Sequence, residues 1–184
     1  MNKFLLLLLL LLLFLCGCAS EPIYMEMDED FTSDEMFLIK KAGQEWKAAT
    51  DSVDGTLIIY DTFETPEPFT IEQWDESDYR IFKVGMSDPG YQDLLDMWKG
   101  NDGITPLGGY QNDNNIALIV EAKNYNNGFL STTLHEIGHM FHMSHARNGL
   151  MNTDTNLYCI DLFTLNDFCD DNDCGPDAHP TCVK

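Results

Sequence analysis

Basic residues are scarce. Ten lysines and arginines stand against 31 aspartates and glutamates in 184 residues, a formal net charge of −21. A surface so short of cations does not hold a phosphate backbone or an anionic bilayer face, which excludes nucleic acid as a partner. The acid excess suits basic substrates, calcium or plain solubility. Long apolar runs are also nearly absent. The single example, Phe4 to Leu15, is about a dozen residues and too short to span a bilayer comfortably. No internal repeat or low-complexity segment follows it. Cysteine is missing between Cys18 and Cys159, and the four cysteines beyond contain no Cys-x-x-Cys pair, which argues against a thiolate-held zinc. What remains is 44% apolar, enough for one folded domain with a substantial core.

The N-terminus has the form of an export signal. Met1-Asn2-Lys3 is a short positive start, the apolar run follows, and Cys16-Gly17-Cys18-Ala19-Ser20 ends it. Leu15-Cys16-Gly17-Cys18 resembles a bacterial lipobox. That resemblance implies a signal peptide over 1–17, lipidation of Cys18, and a short linker over 18–21. The expected product is an exported lipoprotein, or otherwise a secreted protein, that meets the membrane through its lipid anchor only. Export also bears on Cys159, Cys169, Cys174 and Cys182: an even number in an oxidising compartment reads as two disulfides, with three connectivities open.

Local patterns give a coarse element order. Residues 22–27 suit a strand. Thr32 or Ser33 can cap a helix over 33–49, with Ile39, Ala42, Trp46 and Ala49 as its core stripe. Strands follow over 56–60, 79–84 and 115–121. Pro66 and Pro68 mark a loop, and 87–114, rich in Gly, Asp and Asn, reads as a long loop with a short helix near 94–98. A turn over 124–128 leads into a helix over 129–139. A short helix is expected at 161–168 in an otherwise irregular tail with little core of its own. The sum is an α+β chain: a sheet packed on two long helices, with a small disulfide-linked C-terminal subdomain.

The chemistry concentrates in residues 135–145, HEIGHMFHMSH, which hold four of the five histidines. His135 and His139 lie one helical turn apart on one face, able to share one ion, with Glu136 beside them to reach a metal-bound water. A catalytic zinc takes three protein ligands and keeps one position open. The third ligand separates the classes. No glutamate follows Glu136, so a later glutamate is excluded. Asp154 and Asp161 are available for an aspartate class. His145 is the remaining choice. On a continued helix His142 would join His135 and His139 in one stripe, a poor match to a tetrahedral ion. His145 beyond a turn gives three corners.

His135-Glu136-x-x-His139 with His145 resembles the metzincin motif, and Gly138 is similar to the form common in its matrixin branch. The family has glycine where this chain has His142. That glycine turns the chain in a left-handed conformation, which histidine adopts at some cost. Met151, in Asn148-Gly149-Leu150-Met151, resembles the methionine that the family places in a turn beneath the metal. Some relatives put a tyrosine two residues later, where this chain has Thr153. Asp102-Gly103 to Leu107-Gly108-Gly109-Tyr110 occupies the place of the loop before the substrate-side edge strand.

The resemblance implies a metzincin-like catalytic domain over 22–153, a twisted mixed sheet on two long helices, and a Cys-rich tail over 154–184. It implies a zinc-dependent endopeptidase acting on extracytoplasmic proteins or peptides. His135, His139 and His145 would hold one Zn2+, Glu136 would act as general base, and Met151 would form the turn. The contrasting expectation is a catalytically silent surface lipoprotein that uses the fold as a binding module. A structural calcium ion is compatible with the acidity, but Asp170-Asp171-Asn172-Asp173 lacks the ligand spacing and terminal glutamate of a calcium loop.

Overall fold

The structure, a computed structural model, describes residues 21–52, 55–65, 68–74, 79–99, 109–112, 114–119, 125–152 and 157–182. Its elements run β1 (Ile23–Asp28), α1 (Ser33–Thr50), β2 (Leu57–Phe63), α2 (Ile71–Trp74), β3 (Arg80–Val84), α3 (Pro89–Lys99), β4 (Gly109–Gln111), β5 (Asn115–Ile119), α4 (Tyr125–Met140) and α5 (Leu162–Asp171). The strands form one mixed sheet in the order β2-β1-β3-β5-β4. All pairs are parallel except β4 with β5. The expected mixture of helices and sheet is therefore present, with one strand, β4, and one short helix, α2, more than the sequence suggested.

The helix α1 forms because both of its ends are chemically closed. The Thr32 hydroxyl accepts from the Glu35 amide at 3.3 Å, and the Thr32 amide donates back to Glu35 Oε2 at 2.6 Å, a reciprocal capping box. Asp51, left-handed at φ 47°, ends the helix. Between these ends Ile39, Ala42, Trp46 and Ala49 are buried, as their spacing requires. Strand β5 is buried along its whole length because both sheet faces are covered there. Ile116 and Leu118 join the main cluster with α1 and α4, while Ala117 and Ile119 join a second cluster with Phe69, Trp74, Phe82 and Leu94.

The segment 87–114, expected to be a long loop with a short helix near 94–98, does hold a helix there, longer than expected. It contains the 11-residue helix α3 and the edge strand β4. Tertiary burial outweighs composition here: Leu94 is enclosed in the second cluster, and Asp88 accepts from the Gly85 amide at 2.7 Å, fixing the turn before the helix. Helix α4 also starts earlier than expected, at Tyr125, so 125–128 is helix rather than turn.

The tail is joined to the body. Ile160, Leu165 and Phe168 belong to the main cluster, and among the described residues the tail has no cluster of its own. Phe168 lies 5.7 Å from the Trp46 ring and 5.6 Å from Phe141, while Trp46 and Phe141 are 5.3 Å apart. The amides of Gly175 and His179 donate to Thr50 and Ala49 at the exposed carbonyl end of α1, both at 2.9 Å. Of the three connectivities, the structure has Cys159–Cys182 around Cys169–Cys174. Two disulfides fit an oxidising compartment. Among the described residues no helix is long and apolar enough to cross a membrane.

A methyl group on Gly175 would overlap the Asp51 carbonyl. Gly175→Ala is expected to cost about 1–3 kcal/mol in urea unfolding by forcing the tail from α1. An unchanged midpoint would show that this docking contributes nothing.

Candidate metal centre

The site begins with how α4 is held. The Trp46 indole donates to the Leu134 carbonyl at 3.0 Å, tying the middle of α4 to α1. Leu134, Ile137 and Met140 are buried. This packing turns the neighbouring stripe, His135 and His139, toward a half-buried face. Gly138 faces the body as well. A Cβ there would stand 3.2 Å from Trp46 Cζ2 and overlap Met151, which is itself fully buried. The small residue in HEIGH thus makes room for the methionine beneath the helix.

The helix then stops abruptly. The Met143 amide reaches back to the Gly138 carbonyl at 3.2 Å and the His142 amide to His139 at 2.8 Å. These are the paired bonds of a Schellman closure, in which one residue must be left-handed. That residue is His142, at φ 63°. Its side chain is exposed, and it lies outside the group of histidines that converge. Beyond it the chain doubles back, and the Ala146 amide donates to the Met151 carbonyl at 3.0 Å.

The reversal brings His145 onto the His135 and His139 pair. His139 Nε2 lies 3.2 Å from His135 Nε2 and 3.1 Å from His145 Nε2, and these three form a group able to hold a metal ion. The outer nitrogens decide what the inner ones offer. His135 Nδ1 lies 2.9 Å from the Leu150 carbonyl, and His139 Nδ1 lies 2.7 Å from the Met143 carbonyl. A carbonyl only accepts, so each Nδ1 carries the proton and each Nε2 presents a lone pair. Two lone pairs facing at 3.2 Å repel unless a cation lies between them. A tetrahedral ion with Zn–N bonds of about 2.0–2.1 Å requires a ligand separation of about 3.3–3.4 Å, close to that observed. The donor set is therefore compatible with zinc.

Electrostatics point the same way. Burial, opposed by the Leu150 hydrogen bond, lowers the His135 pKa to about 4, and burial lowers that of His139. Both rings are thus held neutral, the form that ligates. Glu136 is buried, and desolvation pushes its pKa up to about 8. The strand β4 covers it: a Cβ on Gly109 would lie 2.7 Å from Glu136 Cγ and 2.9 Å from Oε1.

Of the other residues singled out from the sequence, Cys18, Thr153 and Asp154 lie outside the described residues, as do Asp102, Gly103, Leu107 and Gly108 of the loop before β4. Asp161 is described and is not near enough to join the histidines: it caps α5, accepting from the Phe163 amide at 2.9 Å. Gly109 and Leu150 were not foreseen as site neighbours. No periodic signal marks a backbone carbonyl that receives a histidine, nor a glycine that covers a carboxylate. A scan against protein-family models finds no match to this chain, and neither does a search of curated proteins.

Two outcomes follow. His142→Gly relieves the left-handed strain and is expected to raise stability by about 0.5–1.5 kcal/mol while leaving zinc stoichiometry intact. His145→Ala is expected to weaken zinc binding sharply, as measured by chelator competition. If His142→Gly weakens zinc instead, the ligand set is misassigned. In the metal-free protein Glu136, raised to about 8, adds stability as pH falls toward 4.5, and His135 opposes it by withdrawing stability as pH falls from about 6.5 to about 4. Across that window the unfolded chain takes up a proton on His135 that the folded chain refuses. His135→Gln should remove the His135 share, so that on acidification the variant loses less stability than the wild type in unfolding monitored by circular dichroism.

Proposed function

We propose that the chain is a zinc-dependent endopeptidase of metzincin-like, matrixin-like type. The observation that carries this reading is the convergence of three histidine nitrogens, two of them oriented through backbone carbonyls, beside a buried glutamate one residue along the same helix. A structural zinc site has no use for such a carboxylate. His135, His139 and His145 would hold the ion. When bound, zinc would supply an acidified water and polarise the scissile carbonyl.

The remaining work falls to the chain. Glu136 takes the proton of the attacking water on its carboxylate and delivers it to the leaving amine. Its burial raises its proton affinity, which suits a group that must accept and then release a proton, while a nearby dication opposes that rise and keeps the base ionised. The edge strand β4, antiparallel to β5 and lying over Glu136, offers to an extended substrate a side that is unpaired among the described residues. Gly109 lets this strand approach the carboxylate closely. In the same reading the protein is exported and anchored through a lipid on Cys18, and its substrates are extracytoplasmic.

Glu136→Gln is expected to retain zinc and lose about 10²–10⁴-fold in cleavage rate on a peptide library, with the chelated wild type equally silent. Cleavage by the variant at the wild-type rate would sink the assignment. A zinc-loaded wild type that cuts nothing in the library would instead favour a binding module.

A further inference from the structure

We propose that Asp161 is a positioning residue for the metal centre. Its carboxylate, held in place by the disulfide-closed tail, fixes the backbone of Leu150, which in turn fixes the His135 ring. The inference rests on reading His135 as a metal ligand, and not on the reaction the metal serves.

The chain of contacts is short. Leu150 is buried, and its carbonyl accepts from His135 Nδ1 at 2.9 Å. Its amide donates to Asp161 Oδ2 at 2.8 Å and to Thr164 Oγ1 at 2.9 Å. The Thr164 hydroxyl donates to the same Asp161 oxygen at 2.6 Å. The other oxygen, Oδ1, caps α5 by accepting from the Phe163 and Thr164 amides at 2.9 and 3.3 Å. One carboxylate therefore joins the start of α5 to the loop that orients a ligand. The packing at this joint leaves no slack. Gly149 has a positive φ of 79°, and a Cβ on it would lie 2.7 Å from Thr164 Oγ1 and 2.8 Å from both Asp161 oxygens. The same loop also supports the third ligand, because the Met151 carbonyl holds the Ala146 amide next to His145.

Asp161 owes its own position to the tail. Ile160, directly before it, is held on both backbone groups. Its amide donates to Thr181 Oγ1 at 2.9 Å, and its carbonyl accepts from the Thr181 and Cys182 amides at 2.9 and 3.2 Å. Cys182 is bridged to Cys159, one residue before Ile160. The bridge thus closes a tight clamp around the residue that precedes the carboxylate. Opening it frees Asp161 to move, Leu150 to shift and the His135 ring to turn its Nε2 away from the other two. Groups that orient a ligating histidine through its second nitrogen typically contribute about 10–100-fold to metal affinity.

The test uses the full chain with zinc competed against a chromophoric chelator, and cobalt(II) as a spectroscopic probe. Asp161→Asn with Thr164→Val removes both acceptors of the Leu150 amide. Zinc affinity is expected to fall about 10–100-fold, with an altered cobalt d–d spectrum. Asp161→Asn alone, which keeps a good helix cap, carries the test if the double variant does not fold. Leu165→Ala, which removes a buried tail side chain but keeps both acceptors of the Leu150 amide, serves as the control for general destabilisation and should hold wild-type zinc affinity. Cys159→Ser with Cys182→Ser should reproduce the affinity loss. Wild-type affinity and spectrum in the Asp161 variants, or an equal loss in Leu165→Ala, would overturn the proposal. A wild type that binds no zinc would overturn both this and the peptidase reading. A wild type that binds zinc tightly but cleaves nothing removes the peptidase reading alone.

Discussion

A straight helix can bring only two histidines to one ion from a favourable angle, and everything around the site follows from that limit. His135 and His139 are one turn apart, so a third corner has to come from chain that has left the helix. The departure has to be sharp and fixed. The Schellman closure at Met143 and Gly138 provides it, with His142 carrying the left-handed strain. Having left, the chain needs a floor. Met151 under Gly138 and the Ala146–Met151 hydrogen bond supply one. The helix itself must not slide, and the Trp46 indole on the Leu134 carbonyl prevents it.

Packing and polarity divide the labour. The aromatic triad Trp46, Phe141 and Phe168 supplies non-directional burial behind the helix. Orientation comes from hydrogen bonds to backbone carbonyls at Leu150 and Met143, which set the tautomer of two rings and leave their inner nitrogens bare. Glu136 is the exception among these polar groups, because its buried carboxyl lies against a glycine strand with burial as the dominant influence on it. A carboxyl in such a setting is costly for stability, and that cost is easier to understand in a group with chemistry to perform.

The sequence conveyed the parts of this arrangement that depend on short-range spacing. The i, i+4 histidines, the capping of α1 and the buried strands can be read from a few neighbouring letters, whereas the left-handed residue at His142 is implied only by the resemblance to a motif with glycine there. Long-range closure could not be read in that way. The full extent of helix α3, beyond the short piece expected near 94–98, is hidden by its glycine- and aspartate-rich surroundings and held by Phe69 and Trp74 from elsewhere in the chain. Asp161 reads locally as an acid available for a metal, because nothing nearby in the sequence shows that its carboxylate meets the Leu150 amide. The tail looked like a separate piece because its own apolar residues are few, yet Ile160, Leu165 and Phe168 complete a core whose other members lie far upstream.

That last feature bears on the order of events during biogenesis. The ring that closes against Trp46 and Phe141 comes from α5, which is synthesised after the histidine-bearing helix. Until that segment is available, the core behind the metal helix lacks one wall and the Leu150 loop lacks its anchor. A nascent chain in this condition stays loosely folded. It also has no organised place to load a metal. Synthesis of α5, and the oxidation that closes the segment around it, therefore come before the three histidines are held together.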